Sequence, residues 1–209
     1  MSYPADVRSF TEGWPIVGWA ALLVGALVAG ILATMGATEA ALHVILRDTA
    51  RVSLVLFSTA LIASPARRLW RNAATAWILR NRRQLGVSFA VSHTYHLIAI
   101  VALAEVMTPA RFVAATGVGL LVAGGLGYLL IYAMAATSFD RTAAWLGPRR
   151  WKLLHRTGMY GLAAFFALTY APAPFVRGWV YVPFALIAVG APAFRIAARR
   201  RAAPAPAGA

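Results

Sequence analysis

Cysteine is missing altogether, and carboxylates are nearly so: 6 Asp and Glu stand against 20 Lys and Arg in 209 residues. Without thiols the chain forms no disulfide, no thiolate metal site and no iron–sulfur cluster, and without a C-x-x-C-H motif it cannot carry an ordinary c-type haem. No G-x-G-x-x-G loop is present, so no flavin or nicotinamide is expected to bind in the dinucleotide fashion. Charge of either sign is scarce, at 12% of residues against about twice that in a soluble domain. What the chain does have is apolar surface. Hydrophobic residues make up 61% and the mean hydropathy is +0.69. Too little polar surface remains to cover such a core, so the excess belongs in lipid. A net charge of +14 would suit nucleic acid. However, no basic stretch is interleaved with exposed aromatics or set in a soluble fold, so no nucleic-acid partner is expected.

A helix that crosses a bilayer needs about 20 mostly apolar residues. Six segments qualify: Trp14–Gly36, Ala50–Ala63, Leu85–Met107, Phe112–Ala136, Leu153–Ala171 and Trp179–Ile196. The second is short and borrows flanking residues to complete its span. The expected fold is an all-α polytopic membrane protein, a six-transmembrane-helix bundle over residues 14–196. A cytoplasmic segment (1–13) precedes it, and a disordered basic, Pro/Ala-rich cytoplasmic tail (197–209) follows. Pro65, Pro109, Pro148, Pro172 and Pro174 fall in the connections, where they cost no helical hydrogen bond. Asp6, Arg8 and Glu12 replace the basic cluster of a signal peptide. With the N-terminus inside, 16 of the 20 basic residues lie on the cytoplasmic side, and only Arg47, Arg51, Arg111 and Arg177 lie outside. This positive-inside bias predicts an inner-membrane protein with both termini cytoplasmic, its basicity attracted to anionic lipid as a by-product. In "TGVGLLVAGGLGY", Ala123 and Gly127 sit four apart beside Gly124 and Gly125, a spacing that lets helices approach closely. Packing within the bundle is the expectation there.

Four histidines remain to be explained. His43, in "TEAALHVILRDT", reads as interfacial, in an outer connection beside Glu39 and Asp48. His93 and His96 lie in the apolar run "RRQLGVSFAVSHTYHLIAI", about 15 and 20 Å beyond Arg83 at helical rise. Their spacing of three puts them on nearly one face. His155 sits near the inner surface within "RRWKLLHRTGMY". A histidine in a bundle often just bonds a neighbouring carbonyl, but ionisable groups inside a membrane are costly and usually functional. Imidazoles facing each other across a bundle are the usual axial ligands of b-type haem. Arg82, Arg83, Arg149, Arg150 and Arg156 stand where haem propionates would need neutralising, although cytoplasmic flanks are basic in any such protein. Met159, a turn beyond His155, is an alternative soft ligand or ordinary packing. Glu105 is expected to pair with Arg111 or water.

Three stretches, "TARVSLVLFSTALIASPARRLWRN", "RRQLGVSFAVSHTYHL" and "TSFDRTAAWLGPRRWKLLHRTGMYGL", resemble the ferric reductase-like transmembrane domain family. The likeness covers about residues 15–196 in order, spacing and helix count. It rests on Ser-Pro-x-Arg-Arg ending the second helix, Arg-Arg-x-Leu-Gly opening the third and Trp-x-x-Leu-His-Arg opening the fifth. The resemblance implies haem held between helices three and five at two depths. His96 then matches the outer ligand of helix three, and His155 the inner ligand of helix five. The opposite partners do not match: Leu168 stands at the outer position of helix five, and the inner position of helix three falls near Arg83. Two ligands of one iron cannot differ much in depth, and His96 and His155 differ by about 12 Å, against about 7–8 Å for His93 and His155. One haem b between His93 and His155, with His96 lining the site or acting as a second ligand, is the preferred arrangement.

The expected function is a membrane-embedded b-type cytochrome. It would take electrons from a cytoplasmic reductase or quinol and pass them across the inner membrane to Fe(III) or a periplasmic redox acceptor. One rival is a relative that has lost haem and serves as a membrane scaffold or partner subunit. Another is a proton or small-molecule carrier using His93 and His96 as a relay, although no broken helix or intramembrane carboxylate accompanies them.

Overall fold

The computed structural model describes residues 10–201, so the first nine residues of the N-terminal segment and residues 202–209 of the tail lie outside the described residues. Every element among the described residues is helical. They are α1 (Pro15–Met35), α2 (Glu39–Leu69), α3 (Ala73–Arg80), α4 (Arg82–Val106), α5 (Pro109–Thr116), α6 (Val118–Ala136), α7 (Asp140–Leu146), α8 (Pro148–Tyr170), α9 (Ala173–Arg177), a short 3-10 turn (Trp179–Tyr181) and α10 (Val182–Arg201). Six stretches are long and apolar enough to cross a membrane: α1, α2, α4, α6, Pro148–Arg177 and Trp179–Arg201.

The long helices alternate in direction and close into a ring. α4 packs on α2, α2 on α10, α10 on α8, α8 on α6, and α6 returns loosely to α4. α1 stands outside this ring against α4, where Gly25 admits the Tyr95 hydroxyl and Tyr95 bonds the Ala21 carbonyl at 3.2 Å. Leu54, Phe57 and Leu61 of α2 meet Phe89 of α4, Phe166 of α8 and Ala188 of α10 in the main core. A second cluster, Leu42, Ile45, Ala99, Leu103 and Met107, closes the far end of the α2–α4 seam. α4 and α8, the helices expected to hold a cofactor, are not close neighbours in backbone terms; the ring separates them. The C-termini of α2, α6 and α10 and the N-termini of α4 and α8 gather at one end, here termed the basic end.

Several boundaries differ from expectation for identifiable reasons. The second span is far longer than Ala50–Ala63, because α2 starts at Glu39, capped by the Thr38 hydroxyl accepting from the Ala41 N–H. His43 is therefore on the first turns of α2, exposed and 3.8 Å from Glu39, not in a connection. The fourth segment is split at Gly117, whose φ of +80° ends α5 and starts α6. Pro65 lies inside α2, not in a connection. Proline has no N–H for the carbonyl four residues earlier, which here is Leu61. That carbonyl instead accepts from Arg195 Nη1 on α10. The basic stretch 197–201, expected in the tail, continues α10 as helix. Arg111 is taken by Glu39 through two bonds of 2.9 and 3.0 Å, which tether α5 to the start of α2, so that of the two partners expected for Glu105, Arg111 or water, Arg111 is engaged elsewhere. In the small-residue stripe, Gly127 packs on Leu162 of α8 as expected, whereas among the described residues nothing lies within 4 Å of a Cβ placed at Gly124 or Gly125.

Candidate functional site

The ring encloses a cavity of about 970 Å³ toward the basic end. Phe57, Phe89, Ile131, Met134 and Met159 provide apolar wall from four helices. Among the described residues eight Arg and Lys side chains also line it, and no carboxylate does. Two of them have acidic partners: Arg80 bonds Glu12 at 2.8 Å and Arg83 bonds Asp140 at 2.6 Å. The rest, Arg82 and Arg156 among them, have no acidic partner among the described residues. Such a concentration of cations in a partly buried space favours an anionic occupant.

His155 is the histidine that lines this cavity. Its orientation follows from Thr137 and Trp151. The Thr137 hydroxyl donates to the Ala133 carbonyl at 2.7 Å, so at 3.1 Å from His155 Nε2 it accepts the ring N–H. Trp151, one turn earlier on α8, stacks on the imidazole at 4.1 Å and donates its indole N–H to the Thr137 carbonyl at 2.9 Å. In this rotamer Nδ1 carries the lone pair of His155; a half-turn of the ring exchanges the two nitrogens.

His93 and His96 form a separate pair, with rings stacked 5.0 Å apart at 21°. Neither lines the cavity. Phe89 both touches His93, at 5.3 Å, and lines the cavity, so it stands between the two histidine sites. Opposite His93 on α8 is Phe166, at 6.0 Å edge-on, and Tyr128 of α6 lies at 5.2 Å. His93 Nδ1 is buried without a hydrogen-bond partner, an arrangement that costs about 1–3 kcal/mol and is rare in folded chains. His96 is held differently. Thr49 donates to the Ile45 carbonyl at 2.6 Å and therefore accepts from His96 Nδ1–H at 3.0 Å, which leaves Nε2 as the unprotonated nitrogen.

The structure thus brings His93 and His96 together and keeps His155 apart from both. Among the described residues no three His, Asp or Glu side chains gather as a metal site. Leu168 is 78% exposed on the outside of the ring, so the expected outer position of α8 faces away from His96. Thr49, Thr137, Phe166 and Tyr128 were not singled out by the sequence. Trp151 carried a usable signal, since it precedes His155 by four residues on one helix.

Comparison with known proteins gives one informative likeness. The chain is 31% identical over 140 residues to the protein-methionine-sulfoxide reductase heme-binding subunit MsrQ of Ralstonia nicotianae, a match covering 63% of this chain and 63% of that protein. No family model matches the chain. No solved structure matches it either.

Proposed function

We propose that this chain is a membrane-embedded b-type cytochrome that carries electrons across the inner membrane, with haem b bound in the cavity between α4 and α8. The observation that carries this reading is the cavity: an imidazole in its wall, apolar faces around it and cations without carboxylates at its rim. Those residues fit an apolar macrocycle bearing two carboxylate arms, and about 970 Å³ is at the upper end of ligand-pocket sizes, roughly 300–1,000 Å³. Phe57, Phe89, Ile131 and Met159 would pack the ring faces, and Arg82, Arg149 and Arg156 would neutralise the propionates. His155 is the axial candidate facing the cavity. On α4, His93 offers a buried nitrogen that lacks a partner, and it would reach a haem in the cavity once the Phe89 ring that stands between them turns aside. His96 has the outer support typical of a ligating histidine, with Nδ1–H held by Thr49 and Nε2 free. Bound there, the iron would supply one-electron redox chemistry at a potential set by its ligands, burial and hydrogen bonds.

The relative's description as a haem-binding subunit supports the cofactor, and its description as part of a protein-methionine-sulfoxide reductase favours a redox protein over free Fe(III) as acceptor. The charge bias supports both termini in the cytoplasm, so the basic end would face a cytoplasmic reductase or quinol as donor. A haem-free scaffold is the second reading. Phe166 filling the place opposite His93 and Leu168 facing outward favour it.

The absorption spectrum of purified protein, oxidised and dithionite-reduced, separates the two. A reduced b-type Soret and α band is expected. His155→Ala is expected to abolish it, His93→Ala to lose it, and His96→Ala to retain it with a shifted potential. Full haem retention in His155→Ala overturns the cavity assignment, and no band in protein made with haem available leaves the scaffold.

A further inference from the structure

Arg195 is the one charged side chain among the described residues that is buried, at 6% exposure. One nitrogen, Nη1, is spent on the Leu61 carbonyl released by Pro65, while Nε is buried with no hydrogen-bond partner. No carboxylate among the described residues compensates it. Among the described acids, Glu12 and Asp140 are taken by Arg80 and Arg83. Glu39, Asp48 and Glu105 belong to the opposite end of the bundle. Its charged neighbours, Arg68 and Arg199, are cations, and the Tyr160 hydroxyl beside it is neutral. Arg199 reaches only the neutral Tyr160 hydroxyl, at 2.7 Å, with the guanidinium 5.6 Å over that ring.

Between the ends of α2 and α10 lies a crevice of about 200 Å³, lined by Ser64, Pro65 and Arg68 on one side and Arg195, Ala198 and Arg199 on the other. Three guanidinium groups and a hydroxyl surround a space too small for a macrocycle but large enough for a phosphate. A buried cation without an anion is strongly unfavourable, so a ligand of opposite charge is the natural complement. The surroundings say where it comes from. Leu69, Trp70 and Ile196 near the crevice are 50%, 54% and 43% exposed, Leu69 and Ile196 on helices long enough to span the membrane and Trp70 just after the end of α2. Trp70 stacks on Phe194 at 5.5 Å, the kind of aromatic that sits at headgroup depth.

We propose that this crevice binds the phosphodiester of an anionic phospholipid. Arg68, Arg195 and Arg199 would neutralise the phosphate, Ser64 would donate its hydroxyl, and the acyl chains would lie along α2 and α10. Basic pockets between transmembrane helices on the cytoplasmic side commonly hold such headgroups. The inference does not depend on haem in the larger cavity, although Arg195 and Arg199 line both spaces.

The test uses the purified full-length protein and native mass spectrometry, with phosphatidylglycerol titrated against phosphatidylcholine. Wild type is expected to retain phosphatidylglycerol selectively, with affinity falling about fivefold for each of Arg68→Gln and Arg199→Gln. Both substitutions change exposed side chains and leave the Leu61 bond intact, so they report on binding even where Arg195→Gln fails to fold. Arg150→Gln, an exposed change at the same end but outside the crevice, is expected to have no effect. An equal loss in Arg150→Gln would show only diffuse surface attraction and overturn the site. Competition by inorganic phosphate as strong as by phosphatidylglycerol would overturn the lipid as ligand. Loss of haem in Arg68→Gln with lipid binding unchanged would assign these arginines to the larger cavity and overturn the proposal.

Discussion

Arg195→Met removes the guanidinium that donates to the Leu61 carbonyl, and Pro65→Ala restores the N–H whose absence makes that donor necessary. Leu61 is 1% exposed, so its carbonyl has no access to water once Arg195 is gone. An unpaired buried acceptor costs about 1–3 kcal/mol. The single substitution also relieves the desolvation of a buried cation, which acts in the opposite direction and makes its net sign a poor test. A double-mutant cycle removes this difficulty, because desolvation relief is common to both backgrounds and cancels. With Pro65→Ala in place, the helix supplies its own donor to Leu61 at the normal four-residue reach. The cost of Arg195→Met is then expected to fall by about 1–2 kcal/mol relative to its cost in the wild-type background. The measurement is SDS-induced unfolding in mixed micelles free of phospholipid, followed by far-UV circular dichroism, so that lipid binding at the neighbouring crevice does not enter. Coupling below about 0.5 kcal/mol, the usual scatter of independent sites, would refute the claim that Arg195 stands in for the missing N–H.

Two further outcomes follow from particular contacts. A Cβ at position 158 would lie 2.6 Å from Met134 Sδ, and Met134 lines the cavity, into which it can be displaced. Gly158→Ala is therefore expected to cost about 1 kcal/mol of stability, at the low end for overpacking, yet to lower haem loading by shrinking the cavity; unchanged loading would show that Met134 moves elsewhere. Arg83, donating to Asp140 at 2.6 Å, holds that exposed carboxyl below its ordinary range. A depressed folded-state value means the pair contributes fully above the ordinary aspartate pKa and fades as pH falls through the depressed one. The thermal midpoint of wild type should thus approach that of Asp140→Asn on acidification, and a pH-independent gap would exclude titration of Asp140 as the cause.

The spans were legible because the requirement for an apolar run is local: six stretches of the right length exist whatever their partners are. The start of α2 was not legible, because Arg47, Asp48 and Arg51 interrupt its apolar run. In the fold these charges are mutually satisfied: Arg47 and Arg51 both bond Asp48, and Arg51 lies 4.7 Å over the Phe184 ring. A hydropathy window sees three charges and cannot see their pairing. Pro65 misled for a similar reason. Proline is a helix breaker only while the carbonyl it abandons has no other donor, and that donor comes from 134 residues away.

The histidines were legible because imidazole is out of place in lipid, whichever neighbours it has. Their chemistry was not, since it is decided by two threonines that nothing in their own segments distinguishes. Thr49 and Thr137 each donate to a carbonyl four residues earlier, which obliges each to accept from a histidine and so fixes which ring nitrogen keeps its lone pair. The arginines carry the opposite lesson. Counting charge treats Arg195 as one more cytoplasmic label, yet the fold buries it, bonds it to a helix carbonyl and sets it beside a crevice with Arg68 and Arg199. Arg83 is likewise committed to Asp140 and Arg80 to Glu12. Orientation therefore cannot be the whole reason for the excess of cations at this end. Several of them serve the fold rather than the topology, because Arg195 replaces a missing helix donor and Arg80 and Arg83 tie Glu12 and Asp140 to the bundle.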